Sequence, residues 1–451
     1  MDIPPTLLEA AAAIAHGTLT PLQLTADCLS RIGRYEPRVS AWVHVDTPGA
    51  MHAAQILTQQ LIAGTSRGPL HGIPLAIKDV VDVAGMPTRA GSSLTDARPA
   101  SADAPVVARL RAAGAIILGK TVTTEFACFD PPPTKNPWNL AHTPGGSSSG
   151  SAAALALGMC LGAIGSQTGG SITRPASFCG VSGCKPSFGR VSRRGAVPVT
   201  FHLDHVGPLA RTAADCAVLL SVMAGDDPLD PASSPRVAED FSVAVEARAA
   251  RPPRLGVIRP FFFDRAESEV ARLTQSALDV LVAAGAEVID VPLPVGFDTV
   301  HAMHRRIMAC EAADYHRRQF GAPCPGYSPK LAALLDEGFA TSMADYQEAL
   351  RHQAAFGHAV ERSTHDVDAL VTPSTPTAAP GLETTGDPLF NSPWSHAGVP
   401  TVSIPCALTA AGLPLSLQLI GPRWSEVPLL AVAVWCERLL DFRCAPPMLA
   451  D

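Results

Sequence analysis

Residues 143–175 read TPGGSSSGSAAALALGMCLGAIGSQTGGSITRP: two Gly-Gly-Ser turns, ending on Ser147 and Ser171, on either side of a run of small and apolar side chains. The turns read as loops and the run from Ser151 as a tightly packed helix. Its most apolar part, residues 152–164, is too short to span a bilayer. Upstream, Ile73, Leu75 and Ile77 alternate as in a strand inside GPLHGIPLAIKDVVDVAG (residues 68–85). Residues 105–113 read as a helix feeding a strand at 115–118. The first sixty residues give helices at 6–15, 21–32 and 48–62, with Thr20 and Thr47 as caps. Downstream, strands are expected at 255–258, 287–291, 369–372, 401–405 and 415–420. Helices are expected between them at 267–284, 299–318, 343–362 and 427–440. This alternation predicts an α/β fold on a large, mainly parallel or mixed sheet. Nothing repeats internally, and no linker is long enough to divide the chain, so residues 1–451 are expected to form one domain.

Composition narrows the function. With 34 Lys+Arg against 41 Asp+Glu the net charge is −7, and 47% of the residues are hydrophobic against 17% charged. That supports a large buried core. No basic block is present, which argues against nucleic acid or an anionic membrane as partner. The N-terminal MDIPPTLLEA lacks the basic and apolar regions of a signal peptide. Eleven cysteines stand as scattered singletons without a CxxC pair, as buried hydrophobes in a reducing cytoplasm would.

Three local patterns are set aside. Gly114 to Thr121 fits G-x4-G-K-[ST], but its middle residues 115–118 are the strand itself, and no turn is left to wrap a phosphate. Gly146 to Gly150 fits G-x-S-x-G around Ser148, but two prolines precede it where a nucleophile elbow needs an apolar strand. His202 to His205, HLDH, reads as a capped turn before a helix at Ala213, and no second cluster suggests a metal.

Lysine usage isolates a different set. Only Lys78, Lys120, Lys135, Lys185 and Lys330 are lysines; every other basic residue is arginine. A retained lysine is a candidate for a task that needs a titrating amine. Lys78 ends the apolar strand, and an apolar setting lowers a lysine's pKa until it can act as a base. A serine hydroxyl in one Gly-Gly-Ser turn needs such a base, and the second serine can relay the proton. Gly169 and Gly170 let backbone N–H groups point at a developing oxyanion, and a helix after Ser171 would add its positive end.

These residues resemble the amidase signature family. The resemblance rests on GPLHGIPLAIKD, GKTVTTEF, NPWNLAHTPGGSSSGSAAALALG, GSQTGGSITRPASFCGVSGCKPSFGRVSRRG and LDHVGPLART, with weaker echoes in VTPSTPTAAP and HAGVPTVSIPCALTAAGLPLSLQLIGP. The strong part covers residues 68–211, and the segment 224–366 is divergent. The resemblance implies one compact domain with a large mixed sheet flanked by helices. It implies Ser171 as nucleophile, Ser147 as a serine after a cis peptide, and Lys78 as base. It implies an oxyanion hole from the N–H groups of Thr168, Gly169, Gly170 and Ser171. The activity implied is hydrolysis of a linear carboxamide to a carboxylate and ammonia or an amine, with no metal or organic cofactor. A homodimer is implied only by analogy.

Departures bear on the substrate. Gln167 stands where many relatives have Asp. Thr173 stands where the glutaminase subunits of glutamine amidotransferases have Arg, and this chain has Arg174 one place later. That is similar to malonamidase-like members, in which this Arg holds a substrate carboxylate. A helix starting at Ser171 would put Arg174 on the nucleophile's face. The other reading is an arginine that pairs with a protein carboxylate. Ser149 replaces a usual glycine and Val122 a common Asn. Asp79, Glu125 and Asp204 match family positions and read as structural. Tyr315, His316, Phe320 and Tyr327 fit either a pocket wall or the core. The leading function is an amidase for a small linear carboxamide, with a carboxylate-bearing amide as its narrower form. Alternatives are the glutaminase subunit of a tRNA-dependent amidotransferase, an aryl acylamidase or esterase, and a scaffold with a dead site.

Overall fold

The expected strand before Lys78 forms over Pro74–Lys78 (β2), and all five of its residues are buried. A strand covered on both faces belongs in the middle of a sheet with helices on either side, and β2 lies third from one edge. The structure, a computed structural model, describes residues 3–236, 240–321 and 326–450. Among these, Trp42–Val45 (β1), Ile116–Thr121 (β3), Gly162–Gln167 (β4), Ser182–Lys185 (β5), His205–Ala210 (β6), Arg254–Val257 (β7), Glu287–Asp290 (β8), Ala369–Pro373 (β9), Thr401–Leu408 (β10) and Pro414–Ile420 (β11) complete one sheet. Its order is β1-β3-β2-β4-β6-β5-β10-β11-β9-β7-β8. β2 runs parallel to both β3 and β4, and β7 runs parallel to β8 and β9. The remaining pairs are antiparallel. The fold is thus a single mixed α/β domain.

Caps explain where the first helices begin. Thr6 and Thr20 each accept from the backbone three residues on and complete a capping box, before Leu7–Ala15 and Pro21–Val39. The third helix, Thr47–Ile62, is capped by Asp46 rather than by Thr47: the Asp46 carboxylate accepts from Gly49 N, and Thr47 is already helical.

The small-residue run divides. Its helix is Ser149–Ala156, Gly158 takes a left-handed φ of 65°, and the chain re-enters the sheet as β4. Glycine is required at the start of β4. A Cβ on Gly162 would stand 2.8 Å from the Leu219 side chain and 2.9 Å from that of Leu75. Because β4 runs parallel to β2, the turn that follows it and carries Ser171 comes to the same end of the sheet as Lys78, where Lys78 also meets Ser147. No alternation announced β4, because four of its six residues are Gly, Ala or Ser and only Ile164 is branched. His205, expected in a turn, opens β6. Among the described residues no helix is long and apolar enough to cross a membrane.

Candidate active site

Lys78 lies at the end of β2 with its side chain fully buried. Its Nζ donates to Ser147 Oγ at 2.6 Å and to Ser166 Oγ at 2.9 Å. Burial pushes the amine down to about 7, against the pull of Asp204 and Cys128. The Gly146–Ser147 peptide is cis. Ser147 and Ser171 line one cavity of about 220 Å³, and Lys78 stands behind Ser147 rather than on its surface. Among the described residues no hydrogen bond joins Ser147 to Ser171, so only the lysine half of the serine–serine–lysine chain is closed.

The turn that carries Ser171 is held from outside. Gln167 Oε1 accepts from Ile172 N at 2.8 Å, Thr173 N at 3.0 Å and Thr173 Oγ1 at 3.2 Å. Its Nε2 donates to Gly169 O and to Ser395 Oγ, and Ser395 Oγ donates to Gly169 O as well. Asp204 accepts from Thr168 Oγ1 at 2.6 Å and from the N–H groups of Val199 and Thr200. Asn391 packs behind Gly170, where a Cβ would meet Asn391 Oδ1 at 2.6 Å. With so many groups fixing its rear, the turn leaves its own backbone N–H groups, Thr168 through Ser171, without an acceptor among the described residues. The helix after the nucleophile is Thr173–Cys179, so Ser171 precedes it instead of starting it, and Ile172 is its cap. Gln167 thus supplies an acceptor to N–H groups that the start of a helix leaves unsatisfied.

Arg174 is buried and lines the cavity. Its Nη2 donates to Gly146 O at 2.7 Å and reaches Thr385 Oγ1 at 3.5 Å. Nε and Nη1 are buried without a partner. Burial lowers the guanidinium to about 10, with Asp387 opposing the shift. No described carboxylate lies within ion-pair distance of Arg174, although Asp387 lines the same cavity and acts on it electrostatically. Arg174 does brace the carbonyl of the cis peptide.

The chain matches the Amidase family over residues 23–430. It belongs to that family. Among its relatives, a glutamyl-tRNA(Gln) amidotransferase component from Chloroflexus aurantiacus is 36% identical, covering 98% of each chain. A chain from a vestigial protein complex, described as revealing the origins of an s-triazine catabolic enzyme, superposes with a TM-score of 0.90 at 30% identity, covering 98% of this chain and 99% of that one. The native peptide amidase of Stenotrophomonas maltophilia gives 0.85 at 31% identity, with 98% of each chain covered. The chain is therefore an amidase-family hydrolase acting on C–N bonds.

The other singled-out residues of this amidase-family chain take structural roles. Lys120 pairs with Asp79 at 2.9 Å, both buried, inside the strand that excludes a phosphate loop. Glu125 accepts from Ser92 Oγ and Ser328 N. Ser148 Oγ donates to Ser166 O and Ser149 Oγ to Gly145 O. Val122 is buried. His202 bonds Glu311 at 2.5 Å, and among the described residues no group of His, Cys, Asp and Glu could hold a metal. Phe126 packs edge-on to His316, Phe320 and Tyr327, and Tyr315 packs edge-on to His316; His316 is buried, the other three are half-buried, and none of the four lines the Ser171 cavity. The same helix, Val300–Phe320, instead sends His301, His304, Arg305 and Met308 to the cavity. Sequence reading missed these and Gln167's role, since neither follows from local pattern.

Proposed function

We propose that this chain hydrolyses a short linear amide through an acyl-enzyme on Ser171, and that the substrate carries a carboxylate. The observation that carries the reading is the 2.6 Å contact between Ser147 and a buried lysine pushed to about 7. Neutral Lys78 takes the Ser147 proton as Ser147 takes that of Ser171, and Ser171 Oγ bonds to the amide carbon. The oxyanion faces the N–H groups of Thr168 to Ser171. The proton returns through Ser147 to the leaving nitrogen, the C–N bond breaks, and ammonia or an amine departs. Water then adds to the ester by the same relay, breaking its C–O bond and restoring Ser171. None of these steps draws on a metal or organic cofactor.

Arg174 supports the carboxylate. Nε and Nη1 of a buried guanidinium without an acceptor are costly unless a ligand supplies one, and a carboxylate is the acceptor whose charge also compensates the cation. A cavity of about 220 Å³ suits a small acyl group. Ten described cysteines are free thiols, which fits a reducing cytoplasm. The test is ammonia release from malonamate beside propionamide, with S171A as blank. Turnover confined to the carboxylated amide, and a preference lost in R174A, support the proposal. A preference for propionamide makes Arg174 a structural residue only.

The amidotransferase relatives favour a second reading, a glutaminase that works within a larger complex. Glutamine also offers Arg174 a carboxylate. Glutamine hydrolysis that appears only when companion proteins of such a complex are added would select it.

A further inference from the structure

The cavity wall opposite the oxyanion turn ends in a histidine that nothing in the protein engages. His304 is 6% exposed and lines the cavity. Its Nδ1 is buried without a hydrogen-bond partner. Among the described residues no group bonds its Nε2 either. A Cβ built on Gly169 would stand 3.8 Å from Nε2, so this edge of the ring faces the oxyanion turn. Its neighbours are each tied to another group, although His301 Nε2 and His396 Nδ1 are also buried without a partner. His301 Nδ1 lies 3.2 Å from Ser392 Oγ, Arg305 is paired with Glu337, and the His396 ring packs edge-on at 6.0 Å while its Nε2 meets His352. Burial, with His301 and Arg305 nearby, lowers His304 to about 3, so the ring is neutral with one donor and one acceptor. Nε2, unlike Nδ1, is not a closed-off atom, so it is the ring nitrogen at which a ligand in the cavity completes a bond the protein leaves unmade.

The geometry points to His304 as a specificity residue: its ring hydrogen-bonds a second, neutral polar group of the substrate, a carboxamide or ureido group within a few atoms of the scissile carbonyl. A neutral ring adds no charge, so this contact selects an amide-like neighbour and leaves the anionic end to Arg174. The inference rests on Ser171 being the nucleophile.

The test compares malonamide with isovaleramide, which have the same shape but differ in the second carboxamide. The readout is the ratio of their kcat/KM values in each variant divided by that ratio in wild type, so intrinsic reactivity cancels. H304F should lower the ratio by about tenfold, the scale of one substrate hydrogen bond made to a buried group. H304Q, which keeps a donor and an acceptor at similar reach, should recover most of it even where H304F folds poorly. Equal losses on both substrates in H304F and H304Q, or a ratio that collapses in R174A and not in H304F, would overturn the assignment. Ser171-dependent turnover of malonamate with neither neutral amide cleaved would also overturn the assignment, whereas failure on all three amides would instead sink the underlying amidase mechanism.

Discussion

Lys78 Nζ lies 2.6 Å from Ser147 Oγ at the end of a strand with no exposed residue, and among the described residues no carboxylate pairs with the amine. Burial without a paired carboxylate favours the neutral form of the lysine, against the weaker electrostatic pull of Asp204.

The pH dependence follows from that contact. The base works only when neutral, and burial has brought it from 10.5 down to about 7. Activity should be low at pH 5, rise through about 7 and level above it. Lys185 is pushed to about 7 as well but touches only the carbonyls of Pro186 and Val399. K185M should keep the rising limb, and a profile flat from pH 5 to 9 would contradict the assignment to Lys78.

The same shift has a consequence for stability. Between about 7 and 10.5 the unfolded chain holds a proton on Lys78 that the folded chain does not, so stability rises with pH over that window. The penalty is fully present below 7. K78M should therefore unfold at a higher temperature than wild type at pH 6, with the gap narrowing toward pH 10, while its amidase activity is lost. Calorimetry showing K78M less stable at pH 6 would count against a desolvated lysine.

Lys78, Ser147 and Ser171 should fail as a unit. K78A and S171A are each expected to lose roughly four or more orders of magnitude in kcat, and the double variant little more. Single-turnover rates that add across the pair would mean the residues act separately.

The rear support of the oxyanion turn should matter as much as its front. Q167L leaves the N–H groups of Ile172 and Thr173 without their acceptor and frees Gly169 O from its amide donor. A loss of about 10- to 100-fold in kcat with a smaller change in KM is expected, the scale of one misplaced oxyanion donor. G170A should be worse than G169A in both expression and activity. A methyl at 170 would meet Asn391 Oδ1 at 2.6 Å, whereas at 169 the nearest atom is Pro388 Cβ at 3.5 Å. Equal tolerance at the two glycines would contradict the close packing of Asn391.

The sequence carried more of the chemistry than of the architecture. The scarcity of lysine pointed to five residues, of which Lys78, Lys120 and Lys185 are fully buried while Lys135 is half-buried and Lys330 exposed. The paired Gly-Gly-Ser turns located Ser147 and Ser171. The central strands β4, β5 and β6 escaped, because a strand built for close packing replaces branched side chains with Gly, Ala and Ser and loses its period. Glu437 accepts from Ala213 N across 224 positions, and Gln167 joins Ser395 across 228. Contacts of that range have no local signature. His304 lies one turn of a long helix away from residues that face the core, and its exposure to the cavity depends on packing across the sheet.

The most direct test of the central claim is to trap the acyl-enzyme. Wild type is mixed with an activated carboxylated ester or amide, quenched in acid within one turnover, digested and mapped by mass spectrometry. The account predicts one acyl adduct on the peptide containing Ser171, absent in S171A and accumulating more slowly in K78A. An adduct on Ser147 or Ser148, or turnover with no adduct at any quench time, would contradict it.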